Sequence, residues 1–274
     1  MVQEDSGLPW PRVSVVVPVL NEARNLPRVF AQMPPDVNEV ILVDGDSVDG
    51  TVTVARQLRP DVRIVMQTGR GKENALACGL AVATGDILAM FNGDGSADPG
   101  EIPRFVKALL DGADFAQGTR FAKGGGSNEI TRFRRLGNRV LSGLVSVLGG
   151  MRCSDLCYGY NVVWRRHVPV LGLDAAPSPA PGGGVSWGDG FEVETLIHMR
   201  VAQARLVVAE VPSFEHPRVH RVSNLNALGD GMRVLQTILT ERRRAHRPPP
   251  TAAVSAHAKP QVTVAVTDDR EDSR

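Results

Sequence analysis

Ile87-Leu88-Ala89-Met90-Phe91-Asn92-Gly93-Asp94-Gly95-Ser96-Ala97-Asp98-Pro99 is an apolar run that breaks into an acidic, turn-forming loop. Four consecutive apolar residues leave no polar face, so the run reads as a buried strand, and Asp94 falls where that strand ends. In an open α/β sheet the carboxyl ends of the strands are where ligands bind. Asn92 and Asp94, two residues apart, bring a carboxamide and a carboxylate toward one point. That pair suits a hard divalent cation, which prefers oxygen ligands and bridges phosphates. Taken alone, Asn-Gly-Asp-Gly is also ordinary turn composition, so the reading depends on what surrounds it.

Upstream, Arg12-Val13-Ser14-Val15-Val16-Val17-Pro18-Val19-Leu20-Asn21-Glu22 is a short β-branched run closed by Pro and Asn, with a helical stretch expected from Glu22. Glu39–Val43 repeats the pattern and delivers Asp44-Gly45-Asp46-Ser47-Val48-Asp49-Gly50-Thr51. Three acidic residues at one strand end repel one another too much to serve as packing devices. They point to contacts with a base and a ribose, with Asp49 or Thr51 capping a following helix. Arg63–Met66 makes a third strand, and Gly69-Arg70-Gly71-Lys72-Glu73-Asn74 is a basic Gly-rich turn entering a helix, suited to a diphosphate.

Together these segments resemble the family 2 inverting glycosyltransferases, which transfer sugars from nucleotide-diphospho-sugars. Pro18-Val19-Leu20-Asn21-Glu22 is similar to that family's Pro-x-x-Asn-Glu. Val43–Thr51 is similar to its Val-Asp-Asp-Gly-Ser-x-Asp-Gly-Thr, with the second Asp and the Gly exchanged. Asn92-Gly93-Asp94 stands at its metal-binding Asp-x-Asp, with Asn for the first Asp. The resemblance covers roughly residues 12–243. It implies a single Rossmann-like α/β domain of the GT-A type, with a mostly parallel central sheet flanked by helices. It also implies Mg2+ or Mn2+ on Asp94 and Asn92, and a donor site formed by Pro18, Asn21, Glu22, Asp44, Asp46, Lys72, Asn92 and Gly93.

Within the family the likeness is nearest to the polyprenyl-phosphate sugar transferases. Gly118-Thr119-Arg120-Phe121 resembles their Gly-Ser-Arg-Tyr. Ser154–Asn161 resembles Asp-x-x-x-Gly-Phe-Arg, with Asn161 for Arg. Arg218–Leu225 resembles Arg-x-x-Gly-x-Ser-Lys/Asn-Leu, with Arg221 for Gly, and Glu194 matches an acidic position of the same enzymes. The resemblance implies a polyprenyl phosphate acceptor held by Arg120, Arg135, Arg218 and Ser223, and guanidinium groups suit a phosphate well. The chemistry expected is a single inverting displacement at the anomeric carbon, with Asp94 and Arg120 in the catalytic centre. A lipid phosphate is already anionic and needs no strong base. A hydroxyl acceptor, as in polysaccharide or natural-product glycosylation, requires one, and Asp155 and Asp189 are then the candidates. A non-catalytic nucleotide- or partner-binding protein of the same fold is the third reading, favoured by the neutral Asn92.

The 274 residues, 42% hydrophobic and 22% charged, are ordinary for one α/β domain. A formal net charge of +1 carries no signal for nucleic acid, and none is expected as a partner. Residues 1–11 read as a flexible lead without a secretory signal, 12–244 as the transferase domain, and 245–274 as a disordered Pro/Ala-rich tail. Cys78, Cys153 and Cys157 read as reduced thiols; Cys153-x3-Cys157 lacks the further ligands a metal site needs. The longest uncharged stretch, Val140–Met151, is too short to span a bilayer, so the expected location is cytoplasmic, or peripheral at the cytoplasmic membrane face.

From Arg132 to Leu148, Phe133, Leu136, Val140, Leu144, Val147 and Leu148 recur at helical spacing, with Arg132, Arg135 and Arg139 on another face. This describes either an amphipathic helix packed on the domain or one lying on an anionic membrane or membrane subunit. The Pro/Gly-rich stretch 177–190, with Trp187 and Asp189, reads as a lid or a connector. Tyr158, Tyr160 and Trp187 are candidates for stacking on a sugar. His216 and His220 flank Arg218 as candidates for metal or phosphate contact, without the common face a helix would give them.

Overall fold

The computed structural model describes residues 10–173, 175, 192–218 and 227–245. The expected lead and tail therefore lie almost wholly outside the described residues. Asp189, Ser223, Trp187 and His220 lie outside them as well.

Strand β1 (Val13–Val19) runs through the centre of the sheet. Its valines alternate between two buried faces: Val15, Val17 and Val19 point into one apolar layer, and Val16 into the other. A strand with helices on both sides needs this double burial. β2 (Val37–Asp44) and β3 (Arg63–Met66) lie to one side of β1, all parallel. The chain then crosses back, so β4 (Ile87–Met90) pairs with the other edge of β1. Strand order thus reverses between β1 and β4, and a crevice opens at their carboxyl ends. Beyond β4 stand β7 (Asn161–Trp164), β5 (Phe115–Thr119) and β8 (Val208–Pro212), giving the order β3-β2-β1-β4-β7-β5-β8. Only β7 is antiparallel to its neighbours. A small pair, β6 (Gly126–Ser127) with β9 (Phe214–Glu215), sits apart from the main sheet. The doubly covered, mostly parallel α/β sheet is the architecture expected from the sequence.

Helices α1 (Leu26–Ala31), α2 (Thr51–Leu58) and α4 (Ile102–Leu110) contribute to one apolar layer. α3 (Gly71–Val82), the short α6 (Val168–Leu171) and α7 (Glu192–Gln203) contribute to the other. α3 lies close on the sheet because Gly79 has no Cβ; one built there would collide with Val16 and come within 2.9 Å of Val43. The helix expected from Glu22 starts four residues later. Asn21 takes a left-handed conformation (φ 57°), the backbone N–H of Glu22 donates to Thr51 Oγ1, and the carboxylate of Glu22 accepts from Asn25 Nδ2. Residues 22–25 are thereby held as a turn, and Pro27 opens the helix, where a missing N–H costs nothing.

Helix α5 (Arg132–Gly149) inverts the expected packing. The side facing the domain carries buried Asn138, Ser142 and Val145, while Phe133, Leu136, Val140 and Val147 are 61–80% exposed. The polar inner face has a use. Asn138 Oδ1 accepts from the Cys157 backbone N–H (3.0 Å), Ser142 Oγ from Leu156 (3.0 Å) and Ser146 Oγ from Cys153 (3.1 Å). An irregular buried backbone needs acceptors, and α5 provides them. Helix α8 (Ala227–Ala245) packs beside α5 and α7 through Val234 and Ile238, forming a third small core with Val145, Leu156 and Met199. Among the described residues no helix is long and apolar enough to cross a membrane.

Candidate active site

The loops after β1 and β2 are laced together at the crevice. Asn21 Oδ1 accepts from the Val48 N–H (2.8 Å), and the Asn21 N–H donates to Ser47 Oγ (2.8 Å). Asp44 is 1% exposed; its Oδ2 accepts from the N–H groups of Asp46 (3.1 Å) and Ser47 (2.9 Å). Its Oδ1 has no partner among the described residues. A buried carboxylate oxygen left unpaired is costly unless a ligand completes it. Asp49 accepts from the Thr51 N–H (3.0 Å) and so caps α2, although Gly50 stands at the cap position. The expectation that these acidic residues do not serve as packing devices is thus corrected for Asp44, which organises the loop; Asp49 takes the capping role expected of it, and Asp46 stands exposed at φ 72°.

Gly93 lies against β1, its N–H donating to Pro18 O (3.3 Å), and a Cβ there would collide with Val19. That close approach explains a glycine at 93 without reference to a ligand. It also holds the loop so that Asn92 and Ser96 face an open cleft. Asp94 bonds two residues that line it: Oδ1 accepts from the N–H (3.1 Å) and hydroxyl (2.6 Å) of Ser96 and Oδ2 from Arg218 Nε (2.7 Å). Asp98 is occupied as a turn cap, accepting from the Gly100 N–H (2.8 Å). Asn92, Asp94 and Ser96 offer oxygen donors of the kind a hard cation takes. No group of three or more His, Cys, Asp or Glu able to hold an ion occurs among the described residues. An ion held by these oxygens would need further ligands from outside that set.

Across the cleft, Lys72 at the start of α3 is ion-paired with Glu194 of α7. A Cβ on Gly159 would collide with Glu194 Oε1 and come within 2.7 Å of Lys72 Nζ, so the glycine makes room for the pair. Glu194 Oε2 has no hydrogen-bond partner among the described residues, and Glu194 lines the cleft. One turn on, fully buried His198 holds Nδ1 2.6 Å from Glu194 O. Burial lowers its pKa, against the opposing pull of that carbonyl and of the Glu194, Asp155 and Glu210 charges.

Two expected acceptor-side roles are corrected. Arg120 does not face the cleft: its Nε and Nη2 bond Asp155 (2.7 and 2.8 Å), its Nη1 bonds Glu215 (2.9 Å), and it lies over the Tyr158 ring. Burial opposes its charge, and the Asp155 and Glu215 carboxylates override that, raising its pKa. Asp155 is 0% exposed and also accepts from the Arg120 N–H (3.0 Å), leaving no face for an acceptor hydroxyl. The pair is a strut inside the cleft wall. Tyr158 and Tyr160 are core residues rather than a sugar platform. Tyr160 stacks on Phe105 (4.3 Å between centroids), and the Tyr158 hydroxyl bonds Ser213 (2.9 Å). Arg135 is exposed, 5.8 Å above the Phe121 ring; its neighbour Arg134 is the arginine that lines the cleft. The three cysteines are free, with the thiols of Cys153 and Cys157 pushed up to about 12 by burial.

The sequence reading missed Ser96, Glu129, Arg134 and Glu215, all of which border the cleft. Ser96 was discoverable, two residues after Asp94 in the same turn. Glu129 and Glu215 carry no local signal, because β6 and β9 bring them together only in the folded chain.

Residues 14–167 match glycosyl transferase family 2. With the sheet order and the acidic strand ends, this makes the chain a member of that family. It is 39% identical over 108 residues to an uncharacterized glycosyltransferase of Mycobacterium tuberculosis, covering 39% of this chain and 48% of that protein. It is 31% identical over 132 residues to the dolichol-phosphate mannosyltransferase of Pyrococcus furiosus, covering 46% and 38%. The match to the first of these relatives spans about half its length. In fold the chain is similar to glucosyl-3-phosphoglycerate synthase of M. tuberculosis, solved with Mn2+, UDP and glucosyl-3-phosphoglycerate. The TM-score is 0.62 at 23% identity, over 88% of this chain and 87% of the synthase.

Proposed function

We propose that this protein is a metal-dependent inverting glycosyltransferase that moves a hexose from a nucleotide-diphospho-sugar to a polyprenyl phosphate. The observation that carries the acceptor is α5: it contributes Arg134 to the cleft and turns Phe133, Leu136, Val140 and Val147 to solvent. Exposed Arg132, Arg135 and Arg139 on the same helix suit an anionic lipid surface, on which the apolar stripe would rest. A lipid phosphate presented there would enter from the rim that Arg134 and Arg218 share.

On the donor side, the unpaired Asp44 Oδ1 is the acceptor a base would find, and Asn21 holds the neighbouring loop. Lys72, paired with the cleft-lining Glu194, would exchange that carboxylate for a diphosphate oxygen. Asp94, with Asn92, would hold Mg2+ or Mn2+, which stabilises the negative charge of the departing diphosphate. Arg120 and Asp155 keep the wall rigid behind the reacting groups.

A hydroxyl acceptor is the second reading, favoured by Glu194. Glu194 lines the cleft and, once parted from Lys72, would supply the general base that Asp155, held on both oxygens by Arg120, does not. The fold relative carrying phosphoglyceric acid and UDP-glucose gives that reading a concrete acceptor to try.

The test is nucleotide release with Mn2+ from GDP-mannose, UDP-glucose and UDP-N-acetylglucosamine, each with a short polyprenyl phosphate, with 3-phosphoglycerate, or alone. Release that needs the lipid phosphate and yields a glycolipid is the expected result. Release driven by phosphoglycerate moves the assignment to the second reading, and no donor turnover with either acceptor removes both.

A further inference from the structure

We infer that Arg218 is a built-in counter-ion occupying the cation's side of Asp94, and that it makes metal and nucleotide binding mutually dependent. Both oxygens of Asp94 are in use: Oδ1 by the N–H and hydroxyl of Ser96, Oδ2 by Arg218 Nε at 2.7 Å. The ion pair is sheltered, with side chains 15% and 12% exposed. Arg218 is also held in place from behind. Its backbone N–H donates to Glu129 Oε1 (2.9 Å), and the His216 N–H two residues earlier donates to Ser96 O (2.8 Å), tying this segment to the Asp94 loop.

A divalent cation approaching Asp94 therefore meets a guanidinium already on Oδ2. The two positive charges repel, and one must leave the carboxylate. Displacing Arg218 without offering it another anion strands a sheltered charge. A nucleoside diphosphate changes the balance, because it brings phosphate oxygens both to the cation and to the freed guanidinium, whose planar fork suits them. Metal and diphosphate then favour each other through one side chain, and such coupling is reciprocal. In their absence Arg218 keeps the Asp94 charge neutralised.

This rests on the reading of Asp94 as the metal's carboxylate, so the experiment separates the two. Mn2+ binding to the full-length protein is titrated by the loss of the free-ion EPR signal, with and without UDP, for wild type, Arg218→Met, Arg218→Lys and Asp94→Ala. Wild type should bind Mn2+ weakly alone and more tightly with UDP. Arg218→Met should bind Mn2+ alone about tenfold more tightly, as expected for removing a competing charge at a partly buried site, and should gain less from UDP. Arg218→Lys, which keeps the charge, should stay nearer wild type. If Asp94→Ala loses Mn2+ while Arg218→Met binds no better than wild type, the metal assignment stands and the role of Arg218 falls. If Asp94→Ala binds Mn2+ as wild type does, both fall.

Discussion

The two sides of the cleft are built by different rules. On one side, the loops after β1 and β2 are joined by side-chain bonds between residues 26 to 29 positions apart, each carried by one βαβ unit. Around the rest of the cleft the bonds span 35, 95, 122 and 124 positions: Arg120–Asp155, Arg120–Glu215, Lys72–Glu194 and Arg218–Asp94. The first side is a local product of strand, turn and helix. The rest exists only once the whole sheet has closed, which makes it the more sensitive to distant substitutions.

That contrast is open to test. The largest effect is expected from Arg120→Met, which strands buried Asp155. Chemical denaturation should show a loss of about 3–5 kcal/mol, and the double variant Arg120→Met/Asp155→Leu should recover a large part of it. An unchanged midpoint for Arg120→Met would mean the strut does not hold the cleft wall. Asp94→Asn should act more on function, lowering transfer by about 10²–10³, with a smaller loss of stability than Arg120→Met because the Arg218 it deprives of a partner is less buried. A large fall in stability would place Asp94 among the structural residues instead.

Gly159→Ala tests the seam between the two sides. Its methyl would push apart Lys72 and Glu194, and overpacking of this kind costs about 1–3 kcal/mol. Exposed α5 should behave differently again. Phe133→Ser and Leu136→Ser should leave stability within about 0.5 kcal/mol, yet each should weaken co-sedimentation with anionic vesicles by about tenfold or more, from the apolar area withdrawn. Unchanged vesicle binding would remove the membrane role of this face.

The smallest effect concerns His198. Its folded pKa is lowered by burial, so the unfolded chain binds the extra proton first. Stability should be fully present above the ordinary histidine pKa of about 6.5 and decline as pH falls toward the lower folded value, by at most about 1.4 kcal/mol per pH unit. His198→Gln should flatten that slope in denaturation midpoints taken between pH 7.5 and 5. A slope identical to wild type would assign it to other groups.

Residue order alone was enough for β3, whose bounds Arg63–Met66 are those expected, for the strand–loop boundary before Asp94, and for the helix from Arg132. These are short-range matters: a run of β-branched residues needs burial on both faces, and a turn needs Gly, Asn or Asp, wherever the rest of the chain goes. The start of α1 was misjudged because the hydroxyl that captures the Glu22 N–H belongs to Thr51. α5 has the expected periodicity, but the sequence left open which face it buries. Phe133, Leu136, Val140 and Val147 stay outside while the backbone of residues 153–157 claims its Asn and Ser side chains. The pattern of a helix says that it has two faces; which of them turns inward depends on the hydrogen bonds its neighbours still lack.

The same division runs through the cleft. The acidic strand ends and the Gly-rich basic turn were legible as strand-end and helix-start loops, since a few neighbouring residues specify them. The partners of Arg120, Asp155, Lys72 and Arg218 were not, because opposite charges 35 to 124 positions apart can pair in many ways in an extended chain. Only the closed sheet, which excludes water and brings particular carboxylates to particular cations, decides that Arg120 is a buried strut and that Arg218 faces Asp94.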